Sequence, residues 1–584
     1  VSNRNLATAA KQGTSAAYVL RNFYPGTETA ILRRGTEKHA FVGDGDQAVT
    51  ALLRYRNGNN QKFFAATEED IYDITTVADP DVSPSPDVTG QTGGAWVAAQ
   101  FQTTGGTYLV CVNGEDSMQL YDGSAWWPIT SQPINQLNFD TQTANFTMGA
   151  TLTGGTSGAT ATILRVTDNG TSGTLYLRTI TGGPFQNNET ITDGSGGSAL
   201  ADGVNSTFFG AFTGIDTADL SLVWSYKNRL FFIEKNSLNV WYLPIDQITG
   251  AAVVFPMGGV FAIGGAGLTF GASWSLGTSG DGGLSEQCVF VSAEGEVAVY
   301  QGDNPSVAAN WAKVGLYQIG RPLGKQAYVR IGGDLIIATD IGFIPLSQAV
   351  QRSVATLAPA AVSFAIEPDW NIAAVERRNA DWTAIVWPEA QMALVAPPTP
   401  EDDTPVAFIA NVRTMAWAEY TGWDARCFET YDGRLFFGSA EGRIVEANVT
   451  GADEGVPFTG VSVALFDDVQ SPATRKLAYI GRITRRETNL SAPKLTVLYD
   501  FTEELPSAPS APAFGAGAVW GTGVWGTSLW AETSQKTVTA NWVSVGGSGY
   551  ALAPCVMVTS GDLRPLDTEI IRVEVTLQGG DVVS

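Results

Sequence analysis

One pattern constrains this chain more than any other. A short apolar run, a turn of Gly, Asn or acidic residues, and a second β-like run recur seven times. The copies occupy 62–75, 107–121, 229–244, 287–301, 334–347, 383–396 and 434–448. Alternation and turn chemistry make each a hairpin. Their starts are separated by 45, 122, 58, 47, 49 and 51 residues. Two turns are identical, Ser292-Ala293-Glu294-Gly295 and Ser439-Ala440-Glu441-Gly442, and lie 147 residues apart, three steps of 49. Propeller blades run about 40–50 residues. A lone four-stranded sheet cannot bury both faces, so such units stack around an axis. The expected fold is all-β: a β-propeller of about seven blades, with six to eight compatible with the spacing, and no helix between the hairpins.

The step of 122 has a visible cause. Residues 138–207 are rich in Gly and Thr and almost free of basic residues, and they carry a repeat of their own. FTMGATLTGGTSGATA at 146–161 matches FQNNETITDGSGGSAL at 185–200, an offset of 39. This reads as a small duplicated β-domain inserted between blades. From about 456 the alternating runs lengthen, as in KLTVLYDF, and the end reads TEIIRVEVTLQGG at 568–580. The expected organisation is therefore an N-terminal segment with first propeller or platform strands (1–60), blades (61–137), the insert (138–207), further blades (208–455) and a sandwich-like C-terminal platform (456–584). Pro-rich stretches at 79–94, 397–405 and 502–518 read as exposed connections.

Charge narrows the function classes. With 34 basic and 58 acidic side chains the net charge is −24. Such a chain should not adhere to nucleic acid, although it could line a path along which nucleic acid slides. Cys111, Cys288, Cys427 and Cys555 each sit in or beside an apolar strand-like run without metal-ligand spacing, which reads as buried free thiols. His39 is the single histidine, which discounts a His-based metal site or a Ser–His–Asp triad. No signal peptide is read at the N-terminus. The uncharged stretch between Asp246 and Asp281 is long enough to span a bilayer, but Pro256 and paired glycines break any helix, so strands and tight turns are expected and membrane insertion is not.

Candidate sites are few, and no catalytic, cofactor or metal residues are expected. Asp44 with Asp46 and Asp402 with Asp403 lack a complete calcium-loop spacing. The glycines at 264–267 make no phosphate loop. Trp520, Trp525, Trp530 and Trp542 could form a carbohydrate platform, but a spacing of five sends the first three to alternating strand faces, which favours a core or a subunit interface. Arg475, Lys476, Arg482, Arg485 and Arg486 form the one basic run, a candidate contact for phosphates or, preferably, for acidic surface on a neighbouring subunit.

Asn22-Phe23-Tyr24-Pro25 and Leu32-Arg33-Arg34-Gly35 resemble the start of nozzle or tail-hub (tail tubular) proteins of short-tailed bacteriophages. The NRLFF run at 228–232, the Trp/Gly-rich stretch at 519–530, Trp542 with Gly546-Gly547, Gly579-Gly580 and the inserted domain fit the same group. The resemblance implies a structural virion protein and not an enzyme. It implies a homo-hexameric ring below the head–tail adaptor, assembled in the host bacterial cytoplasm. Double-stranded DNA would pass without sequence-specific binding, and tail fibres or spikes would attach. The alternatives are a propeller-type carbohydrate-active enzyme or glycan-binding tail protein, and a monomeric propeller interaction module.

Overall fold

The computed structural model describes residues 16–275, 286–378, 381–400, 403–488, 491–512, 536–561 and 564–582. Seven small antiparallel strand groups form the main body, six of them separate sheets and one continuous with a larger sheet. Blade one runs Ala51–Asn57, Asn60–Ala66, Ile71–Asp73 and Pro86–Val88; blade two runs Val97–Thr103, Gly106–Val112, Met118–Tyr121 and Trp126–Ile129. Blade three holds Leu220–Tyr226, Arg229–Glu234, Asn239–Tyr242 and Val253–Pro256, and blade four Leu268–Trp274, Gln287–Ser292, Glu296–Gly302 and Trp311–Gln318. Blade five has three strands, Tyr328–Ile331, Asp334–Thr339 and Gly342–Pro345. Blade six holds Thr383–Trp387, Met392–Ala396, Val406–Asn411 and Trp417–Thr421. Blade seven takes Cys427–Tyr431, Arg434–Gly438 and Arg443–Glu446 from this end of the chain, and its outer strand Glu37–Phe41 from the other.

Phenylalanine pairs show why these sheets stack. Side chains alternate across a strand, so a Phe-Phe doublet sends one ring to each neighbour. Phe63 packs toward blade seven and Phe64 toward blade two. Phe232 joins blade two, and Phe231 joins blade four. Phe436 and Phe437 divide between blades one and six. Buried apolar layers thus pass from each blade to the next around the ring, and the layer between blades seven and one closes it. The fold is a seven-bladed β-propeller.

The repeated Ser-Ala-Glu-Gly turn is a matched element of blades four and seven. In each, the serine hydroxyl accepts from the backbone N–H four residues on, at 3.0 Å for Ser292 and 3.1 Å for Ser439. Gly295 and Gly442 have φ of 81° and 74°, a region that favours glycine.

Three features depart from expectation. Helices do intervene: Leu346–Ala349 and Glu367–Glu376, with short 3₁₀ turns between them, follow the third strand of blade five. Trp370 anchors this wedge; it is fully buried and its indole N–H donates to Thr339 O at 2.9 Å. The run at 383–396 is one strand out of phase, forming the first and second strands of its blade where the other six form the second and third. The Pro-rich segment at 79–94 contains the blade-one strand Pro86–Val88.

Between blades two and three, Ile134–Ala144, Thr151–Gly154, Thr160–Asp168, Gly173–Thr181, Thr190–Thr192 and Ser198–Phe209 close into a six-stranded barrel. The uncharged stretch provides strands of blades three and four, and no described helix is long and apolar enough to cross a membrane.

The platform is a two-sheet sandwich. In one sheet Ala17–Arg21 lies between the outer strand of blade six and Thr459–Ala464, followed by Leu552–Thr559 and Lys494–Tyr499, so blade and platform share one eight-stranded sheet. The other sheet orders Phe23–Pro25, Ala30–Leu32, Glu569–Val582, Thr474–Glu487 and Thr537–Ser544. Phe23, Leu32, Ile483, Leu495, Val556 and Ile570 pack between them.

Candidate functional site

The basic run lies on the platform strand Thr474–Glu487, and most of it is neutralised within the chain. Arg482 Nε donates to Glu574 at 2.6 Å and its guanidinium lies 4.9 Å from the Trp542 ring centroid. Arg485 is buried and donates to Glu487 at 2.9 Å. Arg486 Nε donates to Glu569 at 2.8 Å. Lys476 is buried and its ammonium donates to Ser471 O and Tyr550 O at 2.5 and 2.7 Å. Arg475 is exposed. Sequence spacing places these cations on one strand; Glu487 stands two residues from Arg485, but Glu569 and Glu574 come from 83 and 92 residues away, and no local pattern announces them. A surface contact for DNA or a neighbour therefore does not rest on this run as a unit. Trp520, Trp525 and Trp530 lie outside the described residues, and Trp542 is 49% exposed.

Trp542 belongs to the strand Thr537–Ser544, the outermost of its sheet. Its sequence, TVTANWVS, contains no charged residue. It pairs on one side with Thr474–Glu487, and among the described residues nothing pairs its other side. Val538 is 65% exposed; Val543 and, beside it, Ile480 are each 41% exposed. Solvent-facing edges are ordinarily guarded by charge, proline or a bulge. Among the described residues, none of those guards lies within Thr537–Ser544.

A second feature lies on the propeller axis. The inner strands enclose a cavity of about 520 Å³. Blade one contributes Arg54 and Arg56, blade two Gln100, blade seven Glu429, and the approach to blade five Lys325 and Gln326. Lys325 Nζ donates to Ala95 O at 3.0 Å and Gln326 Nε2 to Trp96 O at 3.2 Å, so both span the axis to blade two. Burial pushes the Glu429 carboxyl up against the opposing pull of Arg54. Burial likewise pushes the Lys325 ammonium down.

The remaining candidates have structural roles. His39 shares a hydrogen bond with Ile74 O at 2.9 Å and packs on Phe436. All four cysteines are buried and free, and burial pushes Cys427 up to about 12 and Cys555 to about 11. Asp44 accepts a long 3.4 Å bond from the Asp46 backbone, and Asp403 pairs with Arg377 at 2.6 Å; Asp402 lies outside the described residues. Among the described residues no group of three His, Cys, Asp or Glu side chains could hold a metal.

The Leu32-Arg33-Arg34-Gly35 motif proves to be the joint between propeller and platform. The Arg33 side chain is wholly buried, with its guanidinium 3.6 Å from the Phe458 ring centroid. It donates to both Asp453 carboxylate oxygens (2.7 and 2.5 Å), to Asn22 Oδ1 and to Thr421 O.

No family model matches the chain, and no curated protein does. Among solved structures, YCF48 from Cyanidioschyzon merolae is 8% identical, with 71% of this chain and 98% of that one covered at a TM-score of 0.26. BBS1N, solved in complex with ARL6DN, is 7% identical, with 73% and 100% covered and the same TM-score of 0.26. The propeller assignment rests on the sheets and their packing.

Proposed function

We propose that this chain is a structural component of a short-tailed bacteriophage tail, a nozzle subunit that joins copies of itself into a ring below the head–tail adaptor. Double-stranded DNA passes through the ring during ejection, and fibres or spikes attach to it. The observation that carries the reading is the platform edge Thr537–Ser544, free of charge and unpaired among the described residues, with Val538, Trp542 and Val543 exposed. A second copy laid along that edge would satisfy its backbone groups and cover its apolar side chains. The axial cavity of the propeller is spanned by Lys325 and Gln326, so the conduit in this reading is the space between copies. That cavity is lined by one carboxylate, Glu429, whereas glycoside hydrolysis uses a pair. This favours a scaffold over a carbohydrate-active enzyme.

Mass measurement in solution tests the reading. The expected result is a six-copy ring that Val538→Lys converts to a folded monomer with an unchanged circular-dichroism spectrum and an unfolding midpoint lowered only by the lost association. A wild-type chain that stays monomeric at high concentration would sink it. So would its absence from purified virions.

A further inference from the structure

We infer that the axial cavity of the propeller is a binding site for a small oxyanion, a phosphorylated or polycarboxylate molecule held by Arg54, Arg56 and Lys325. This does not rest on the proposed tail role. The chain carries 58 acidic and 34 basic side chains, so a basic group has a surplus of carboxylates to find. Arg56 and Lys325 nevertheless form no ion pair among the described residues. Arg54 reaches Glu429 only at 3.7 Å and donates to Thr430 O at 2.9 Å. Three cations thus converge on one cavity against a single lining carboxylate.

The other charges nearby do not cancel them. Lys235 pairs with Glu115, and Arg426 with Asp424 at 3.3 Å. Asp381 stands at the rim beside Lys325 without an ion pair to it among the described residues, and its pull on Lys325 offsets at most one of the three cations. Cavity charge is therefore positive inside a strongly negative molecule, a field that draws small anions inward.

The cavity is also shaped for the purpose. Lys325 and Gln326 cross the axis and form a floor. The Lys325 ammonium uses one donor on Ala95 O, which leaves two for a ligand. Arg56 is held in place through its backbone: its N–H donates to Gln100 Oε1 at 2.8 Å, and its carbonyl accepts from Gln100 Nε2 at 2.9 Å. Among the described residues its guanidinium makes no hydrogen bond, which leaves it for bidentate contact. About 520 Å³ lies within the range of small-molecule sites. Burial depresses the Lys325 pKa, and a bound anion would reverse that cost.

The test is thermal unfolding of the full chain in inorganic phosphate and in citrate, each against sodium chloride at equal ionic strength. The expected result is a saturable rise in midpoint of about 2 °C at a hundredfold excess over Kd, absent in chloride. A rise with phosphate alone assigns a phosphoryl ligand, and a rise with citrate alone a polycarboxylate. Arg56→Gln and Lys325→Met should each abolish the rise. Arg56 is exposed, so R56Q decides the matter if K325M does not fold. A rise that chloride reproduces, that neither anion produces, or that persists in R56Q overturns the proposal.

Discussion

The propeller and the platform are both antiparallel sheet, yet they treat their edges in opposite ways. Most blades close on a short outer strand, as short as Pro86–Val88 in blade one, blade four ends on the eight-residue Trp311–Gln318, blade six runs on into the platform sheet, and the ring is latched by Glu37–Phe41. The platform instead pairs two fourteen-residue strands, Thr474–Glu487 and Glu569–Val582, and ends, among the described residues, on an open, uncharged edge. Stacking around an axis buries both faces of every blade and leaves little edge. A sandwich buries only the inner faces, so its margins must be guarded or used. One region closes its ring within a single chain, and the other leaves the margin that the proposed assembly would use.

The joint between them should give the largest effect when broken. Asp453→Ala leaves the buried Arg33 guanidinium without its carboxylate, and removing one partner of a buried ion pair costs about 3–5 kcal/mol. Thermal unfolding measures the loss. Hydrogen exchange should place the new opening at 17–21 and 417–421, where platform and blade six share a sheet. A loss under about 1 kcal/mol would mean that sheet continuity alone holds the regions together.

The same contrast governs what the sequence makes legible. Local signals sufficed for the propeller: alternating runs and matched turns each report a single hairpin, and their spacing reports the blade. Phase was harder to read. The helical wedge after Pro345 displaces blade six, and its second and third strands are linked through the Pro-rich 397–405, so the obvious hairpin there was the wrong one of the blade. The platform depends on strands far apart in sequence. Ala17–Arg21 pairs with Thr459–Ala464, and Arg486 meets Glu569, contacts no local pattern announces. The open edge was partly visible through Trp542. Its significance required knowing that Thr537–Ser544 is the last strand of its sheet.

The latch can be broken by one side chain. Gly442 has φ of 74°, and a Cβ there would lie 2.4 Å from Val42 O in the segment that follows Glu37–Phe41. Gly295 is its counterpart in blade four, where a Cβ would lie 2.4 Å from Gly320 O. Valine at either position should cost about 1–3 kcal/mol through backbone strain. Only Gly442→Val should raise hydrogen exchange at 37–41, because only that turn holds the closing strand. Equal exchange at 37–41 in both variants would mean that the latch draws its stability from the inter-blade layer instead.

The inserted barrel sharpens the comparison, since it closes its edges without stacking on an axis. Its second repeat carries two carboxylates that serve backbone donors in both copies. Glu189 accepts from Thr156 and Ser157 N–H at 3.0 and 2.8 Å, and Asp193 from Thr147 and Gly197 N–H, each at 2.7 Å. Burial raises both pKa values, but these hydrogen bonds outweigh it and hold both below the usual carboxylate range. A depressed folded pKa contributes stability above the unfolded value, about 4 for such groups, and loses it as pH falls through the folded value. Hydrogen exchange across 146–200 should therefore accelerate below about pH 4, ahead of the blades. Glu189→Gln replaces an acceptor with a donor facing backbone N–H groups and should cost about 1 kcal/mol at neutral pH. It should also flatten the acid dependence of that segment. If E189Q keeps the full wild-type acid dependence, Asp193 alone controls the barrel, and the cross-copy bonds of Glu189 contribute nothing to its closure.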